Sequence, residues 1–175
     1  MSIVVTDWVY LFGRKFDEHE FLHRDSRLMS VQTKTVIKIA QQLYAKVKGN
    51  EINSEDIGIV FSSDTGPLES ILEYNSILKN KGYIGINPSK FPNIMSATAL
   101  SRIAIEIGAK GPCVPLLSSK NNKHALIYGI EQISAKRCCA IMIIHINKMN
   151  DCFGLFIEDE CSCHKRGIKS KLVVK

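Results

Sequence analysis

The sequence has no apolar run approaching the roughly 20 residues that a membrane-spanning helix requires. Its longest strongly apolar stretch, from Cys138 to Ile146, has the length of a buried strand. The start of the chain, MSIVVTDWVY, lacks a basic segment and reaches Asp7 early, which is poor for a signal peptide. These absences argue against a membrane-embedded or secreted protein, so we expect a cytoplasmic protein without a membrane partner.

Cysteine and glycine patterns exclude further classes. Six cysteines in 175 residues are too few for a disulfide scaffold, and Cys138 and Cys139 lie where buried free thiols are common. Neither G-x-x-x-x-G-K-[ST] nor G-x-G-x-x-G occurs, so common nucleotide chemistry has little support. Cys161, Cys163 and His164 are possible soft metal ligands, but zinc sites space paired cysteines about two to four residues apart and need a second pair. We therefore expect neither a metal nor another cofactor.

The charge is unbalanced towards basic residues. The net charge of +6 and the pI near 9.0 suit an acidic partner without choosing among nucleic acid, anionic membrane and protein. Residues 161–175 are polar and basic, with Lys165, Arg166, Lys169 and Lys171 among their cations. This segment is either a solvated terminus or an electrostatic docking strip for an acidic protein. A basic adaptor for nucleic acid is a weaker alternative, because the segment has no aromatic residue to stack on bases.

Helical and strand patterns alternate along the chain. Apolar residues recur at helical spacing over 28–47, 68–78, 94–107 and 125–133. The predicted strands are Ile3–Val5, Asp56–Phe61, Val114–Leu117, Cys139–Ile146 and Phe153–Ile157. Pro115 places its strand at an edge or distorts it, and the last two strands are close enough to form a hairpin. The pattern predicts one layered α/β domain over residues 1–160, followed by a basic tail, residues 161–175.

Lys120 is the first candidate for a reactive side chain. It follows Ser118 and Ser119 where a strand turns into a helix, which is where a doubly wound fold exposes reactive groups and binds anions. A lysine with a depressed pKa could form a Schiff base, but the nearby Lys123 favours a solvated position for both.

Histidines and a thiol provide the other candidates. His145 lies inside an apolar strand, where a hydrogen-bonded core histidine is a better interpretation than a catalytic base. His124 lies early in a helix and faces either a cleft or solvent. An enzyme of unrecognised acyl-transfer chemistry that uses Lys120, His124 or Cys113 therefore remains an alternative. Borohydride trapping and thiol labelling distinguish it from a non-catalytic protein.

One stretch of the sequence is more specific. Phe91-Pro92-Asn93, followed by a helix that ends in Gly108-Ala109-Lys110-Gly111-Pro112, resembles the N-terminal half of β-ketoacyl synthases. In that family a Pro/Asn loop precedes such a helix, and a G-x-[KR]-G-P turn leads to a strand that ends at the nucleophile. The resemblance covers about residues 28–157. It implies a layered, thiolase-like half-domain with a mixed five-stranded sheet and helices on both faces.

The departures from the family concern its chemistry. The resemblance places the reactive cysteine of the synthases at or beside Lys120, where no cysteine occurs. Cys113 is the nearest, about seven residues too early at the start of the strand. A complete synthase also has a second half, whose histidines, or histidine and asparagine, drive decarboxylation. The resemblance therefore implies no condensation by this chain alone and a degenerate nucleophile site made of Ser118, Ser119, Lys120, Asn121 and Asn122.

A half synthase without its cysteine resembles the short chain-length-factor-like proteins. In such pairs one subunit performs the chemistry, and the other completes the dimer and shapes the acyl tunnel. The resemblance implies a non-catalytic subunit of polyketide or fatty-acid biosynthesis. It would pair with a catalytic ketosynthase or a second copy, and dock an acyl carrier protein. Since a separated half exposes an apolar helix face, the expected partner face is Ala125, Leu126, Ile130 and Ile133.

Overall fold

The computed structural model describes residues 2–12, 21, 23–48, 52–117 and 123–174. Its strands are β1 (Ile3–Leu11), β2 (Ile57–Ser63), β3 (Cys113–Leu117), β4 (Ala140–Ile146), β5 (Cys152–Asp159) and β6 (Leu172–Val174). Its helices are α1 (Val31–Lys48), α2 (Leu68–Lys81), α3 (Ala97–Ile107), α4 (Lys123–Ser134) and α5 (Glu160–Lys165). Short 3₁₀ segments are Ser26–Leu28, Ser54–Asp56, Tyr83–Gly85 and Pro88–Ile94. Within these ranges, no helix has the length and apolar character needed to cross a membrane.

The strands form one mixed sheet in the order β3-β2-β4-β5-β1-β6. β2 is parallel to both β3 and β4, and helical crossovers separate these strands in sequence, as parallel pairing requires. β4 and β5 pair antiparallel through a short connection, which confirms the predicted hairpin. β3 lies at one end of the sheet, which confirms the edge position predicted from Pro115.

Helices cover both faces of the sheet, as expected. α1 and α3 cover one face, where Leu43 and Ile103 are buried against the sheet in one apolar cluster. α4 covers the other face, where Ile133 is buried with Ile141 and Ile157. The near-continuous burial of β2 and β4 explains why both read as unbroken apolar runs rather than as alternating ones.

The sheet has six strands rather than the expected five, because the segment expected as a basic tail contributes one. Leu172 and Val174 of β6 pair with Val5 and Ile3 of β1, and the Lys171 N–H donates to the Val5 carbonyl at 2.9 Å. The segment expected as a tail thus packs through β6 against β1. A strand of three residues among cations carries too weak a local signal to be recognised, and its pairing with β1 is a long-range contact.

The turn between α3 and β3 sets how β3 sits on β2. Gly108 ends α3 at φ +69°, a left-handed conformation that favours glycine. The Gly111 N–H donates to the Ile57 carbonyl at 3.0 Å, and the Ile59 N–H donates to the Pro112 carbonyl at 2.9 Å. The two backbones approach so closely that a Cβ on Gly111 would lie 2.6 Å from the Ile57 oxygen. The glycine-proline turn noted in the sequence therefore has a packing role.

Candidate functional site

The carboxyl ends of β2, β3 and β4 point to one end of the sheet, and the expected nucleophile site follows β3. β3 ends at Leu117 and α4 begins at Lys123. The predicted site residues between them lie outside the described residues, namely Ser118, Ser119, Lys120, Asn121 and Asn122. The described polar residues at this end of the sheet come from β2, the turn after it, β4 and the start of α1.

A buried polar cluster occupies the ends of these two strands. His145 Nδ1 lies 3.2 Å from Ser62 Oγ, and His145 Nε2 lies 3.6 Å from Asp64 Oδ1. Ser63 Oγ accepts hydrogen bonds from Gln32 Nε2 at 2.9 Å and from the Gly66 N–H at 3.0 Å. Because Ser62 is fully buried, the arrangement satisfies polar groups and presents no accessible nucleophile. His145 is thus the predicted hydrogen-bonded core histidine.

His145 should make stability depend on pH. Burial lowers its pKa below the ordinary value, and the opposing influence of Asp64 does not compensate. The unfolded chain therefore binds an extra proton below about pH 6.5, so the free energy of unfolding should fall as pH drops, by at most about 1.4 kcal/mol per pH unit. Urea titrations between roughly pH 7.5 and 4.5 measure this slope. In His145→Gln the slope should be smaller; equal slopes would contradict the assignment.

Two of the alternative reactive residues are among those described. Cys113 begins β3, its thiol donates to the Gly111 carbonyl at 3.4 Å, and burial raises its pKa. A protonated thiol is a poor nucleophile at neutral pH. His124 lies exposed in the first turn of α4. Within the described residues, neither Cys113 nor His124 is hydrogen-bonded to a second side chain with which it could form a nucleophile–base pair.

The face of α4 that was expected to meet a partner packs against this chain's own sheet. Ala125 and Ile133 are 1% and 0% exposed, and they pack in the apolar cluster between α4 and the sheet, with Leu126 and Ile130 partly buried beside them. The helix stripe was correctly recognised, but it covers this chain's own sheet. Periodicity shows that a face is apolar without showing which surface covers it.

The cations of residues 161–174 differ in their availability. Arg166 Nη2 donates to both carboxylate oxygens of Glu158 at 2.5 and 2.6 Å, and the Arg166 side chain is 7% exposed. Lys171 Nζ donates to Asp7 at 2.7 Å and lies 4.6 Å from the centre of the Trp8 ring. Arg166 and Lys171 are therefore committed to contacts within the chain. Lys165 and Lys169 are exposed and remain candidates for docking an acidic partner.

A large exposed apolar surface lies elsewhere, on α2 and the 3₁₀ segments after it. We call it the α2 surface; its members are Leu68, Ile71, Leu72, Tyr83, Ile84, Phe91 and Met95. α2 buries no residue, since it rests on the following 3₁₀ segments around an open cavity of about 240 Å³ rather than on the sheet. The sequence shows its helical apolar spacing but not the lack of a covering layer. Exposed apolar side chains grouped on neighbouring elements are a feature of interaction sites.

A second exposed apolar surface lies on β1. Trp8, Tyr10 and Phe12 alternate along the strand and are all exposed, and the Tyr10 and Phe12 rings pack edge to face at 4.7 Å. Their alternation places them on one face of the sheet. The sequence predicted only Ile3–Val5 as the first strand, so this aromatic row was not identified. β1 extends to Leu11 because it pairs with β5 along that length.

One of the possible metal ligands near the end of the chain, Cys163, forms another contact. Cys161, Cys163 and His164 all lie on α5, and the Cys163 thiol donates to the Ile168 carbonyl at 3.3 Å. In residues 2–12, 21, 23–48, 52–117 and 123–174, no three His, Cys, Asp or Glu side chains are grouped to hold a metal ion.

Comparison with known proteins identifies the fold. The chain is 30% identical over 102 residues to 3-oxoacyl-[acyl-carrier-protein] synthase 2 of Synechocystis sp.; the match covers 57% of this chain but about a quarter, 24%, of that relative. No protein-family model matches. Among solved structures, a complex of a type II polyketide synthase acyl-carrier protein with its ketosynthase aligns with a TM-score of 0.85 and 12% identity, over 99% of this chain and 67% of that chain.

A second similar structure is a ketosynthase in complex with its chain length factor from Xenorhabdus doucetiae. It aligns with a TM-score of 0.63 and 14% identity, over 91% of this chain and 79% of that chain. The identities to solved structures are low, so these likenesses establish the fold. They confirm the ketosynthase-like fold that the resemblance in the sequence implied.

Proposed function

We propose that this chain is a non-catalytic ketosynthase-like subunit that pairs with a catalytic ketosynthase in polyketide or fatty-acid assembly. The observation that carries the proposal is the composition of the segment between β3 and α4. Residues Ser118 to Asn122 contain no cysteine where the resemblance places the synthase nucleophile. A lysine cannot replace a thiolate as the acyl carrier in that chemistry.

Four of the six thiols do not suit the missing role, namely Cys113, Cys138, Cys139 and Cys152. Burial raises the pKa of Cys113 and Cys139, and raises that of Cys138 to about 11. Cys152 is fully buried on β5, and burial raises its pKa strongly. These thiols are protonated at neutral pH, whereas a catalytic cysteine must reach the thiolate readily.

The exposed apolar surfaces support a role in assembly. The α2 surface and the aromatic row on β1 lie on a chain whose sheet core is otherwise well buried. One similar structure contains a ketosynthase and its chain length factor, and another a ketosynthase with its acyl-carrier protein. Within the proposal, a ketosynthase covers the apolar surface, and the exposed Lys165 and Lys169 assist the approach of an acidic carrier protein.

Co-expression with a catalytic ketosynthase from the same genome tests the proposal. We expect a one-to-one complex by light scattering, formation of β-ketoacyl product from acyl and malonyl thioesters by the complex, and none by the isolated chain. In the matched control, the partner's reactive cysteine is replaced by alanine, which should abolish turnover. Turnover by the isolated chain or by the control complex would show that this chain is itself an enzyme. Failure of every ketosynthase of that genome to bind would refute the pairing.

A further inference from the structure

We propose that the aromatic row on β1 binds single-stranded nucleic acid, by stacking unpaired bases on Trp8 and Tyr10 while neighbouring lysines contact the phosphates. The sequence disfavoured nucleic acid because the basic segment 161–175 contains no aromatic residue. The structure places aromatic rings from the other end of the chain beside that segment. The inference is independent of the proposed function, for which the α2 surface is sufficient.

Strand pairing shows which face of the sheet carries the row. Trp8 lies opposite Leu155 and Tyr10 lies opposite Phe153, and directly opposed residues of an antiparallel pair share a face. Leu155 packs against the apolar cluster beneath α4, whereas Val9 belongs to the cluster beneath α1. The row therefore lies on the same face of the sheet as α4.

The row lies beside α4 rather than beneath it. α4 packs mainly on β2, β4 and β5, and Trp8, Tyr10 and Phe12 are 44%, 49% and 53% exposed. Alternate residues of a strand are about 6.8 Å apart, so the three residues span about 14 Å along one line. Sheets that present aromatic rings in this way stack two or three bases in RNA-binding domains.

Cations accompany the rings. Lys171 Nζ lies 4.6 Å from the centre of the Trp8 ring, and it donates to Asp7 at 2.7 Å, which holds it in place. Lys46 Nζ lies 3.6 Å from the same carboxylate, so two lysines face one aspartate. The Lys171 and Lys46 side chains are still 41% and 49% exposed, and Lys169 is exposed nearby in the chain. Accessible cations beside aromatic rings are typical of surfaces that bind single strands.

The same charges make a protein partner the poorer occupant. A protein that covered the row would bury the ion pair of Lys171 with Asp7, and removing charges from water is costly. A single strand instead brings phosphates to the lysines, and the net charge of +6 attracts it. Asp151 is the acidic neighbour of the Tyr10 hydroxyl, so we expect the phosphate contacts at the Trp8 end of the row.

Fluorescence of the full chain tests the inference, because Trp8 is its single tryptophan and reports on the row directly. We expect short oligo(dT) to quench Trp8 emission at about 50 mM salt, with an affinity that falls steeply as the salt concentration rises. An abasic oligonucleotide of the same length carries the phosphates without bases. It should bind about fivefold more weakly or worse, since at least one stacked base is lost.

Anisotropy of labelled oligo(dT) measures the variants. Trp8→Leu and Tyr10→Leu each remove a ring but keep an apolar side chain, and each should weaken binding by about fivefold or more. Tyr83→Leu removes a ring that is 85% exposed on the α2 surface, so it is the matched control and should bind as wild type does. Circular dichroism checks that each variant is folded.

Quenching by oligo(dT), together with weaker binding of the abasic probe and of both row variants, supports the inference. Absence of binding at low salt overturns it, as does equal affinity for the abasic probe or wild-type affinity in folded row variants. Trp8 emission that shifts with an acidic acyl carrier protein but not with oligo(dT) also overturns it and assigns the row to a protein. None of these outcomes depends on ketosynthase binding, which the co-expression experiment tests separately.

Discussion

Replacing Arg166 with methionine should lower the free energy of unfolding by about 3–5 kcal/mol, because it leaves a buried carboxylate without its counter-ion. Glu158 is 0% exposed on β5, and both of its oxygens accept from Arg166 Nη2. Arg166 Nη1 also donates to the Val47 carbonyl at 3.1 Å, so the guanidinium joins α1 to the sheet. Urea denaturation at neutral pH, followed by circular dichroism, measures the loss.

Two further variants show whether the loss comes from the unpaired charge. Replacing both partners, Arg166→Met with Glu158→Met, should recover much of the stability, since an apolar pair in a buried site is often neutral or better. Lys169→Met removes an exposed cation of the same segment and should change stability by no more than about 0.5 kcal/mol. If Arg166→Met is as stable as Lys169→Met, the ion pair does not hold the end of the chain in place.

Gly111→Ala should destabilise the protein by about 3 kcal/mol, at the upper end of the usual range for overpacking. The new Cβ would lie 2.6 and 2.7 Å from the Ile57 oxygen and carbonyl carbon, and 2.8 Å from the Gly58 nitrogen. All three are backbone atoms of β2, so no side chain can move aside. Relief requires displacement of β3, and chemical denaturation together with hydrogen exchange of the β3 amides measures both effects.

Gly108→Ala is the matched control for this prediction. Gly108 has a positive φ of +69° in the left-handed helical region, and the Cβ that alanine would add meets only the Ser54 side chain, at an ordinary 3.5 Å. Its replacement should therefore lose only the conformational preference of glycine, about 1 kcal/mol. Equal losses at the two positions would mean that the contact with β2 is not tight.

The elements whose signals are local were predicted well. Helical spacing identified α1, α3 and α4, the apolar runs identified β2 and β4, and the short connection after β4 predicted the hairpin. Pro115 correctly marked an edge strand, because the missing N–H restricts a proline to places where no ladder bond is needed. His145 was correctly assigned to the core, since a strand buried on both faces leaves it no solvent.

The expectations that differ from the structure concerned which apolar or charged side chains are buried within the chain and which remain exposed. Ala125 and Ile133 were expected to meet a partner, yet they cover the sheet of their own chain. Arg166 was expected to dock an acidic protein, yet it forms an ion pair with Glu158, a buried residue of β5 that lies eight positions earlier in the chain. The α2 surface has the same helical spacing as the buried helices, and nothing in that spacing indicates its exposure.

Residue order alone settled the layered α/β class, the resemblance to ketosynthases and the absence of a cysteine between β3 and α4, because these follow from short patterns read along the chain. Contacts between distant segments settled the sixth strand, the burial of Arg166 and the exposure of α2. The physical reason is that burial is a property of two surfaces brought together, and a periodic pattern describes only one of them.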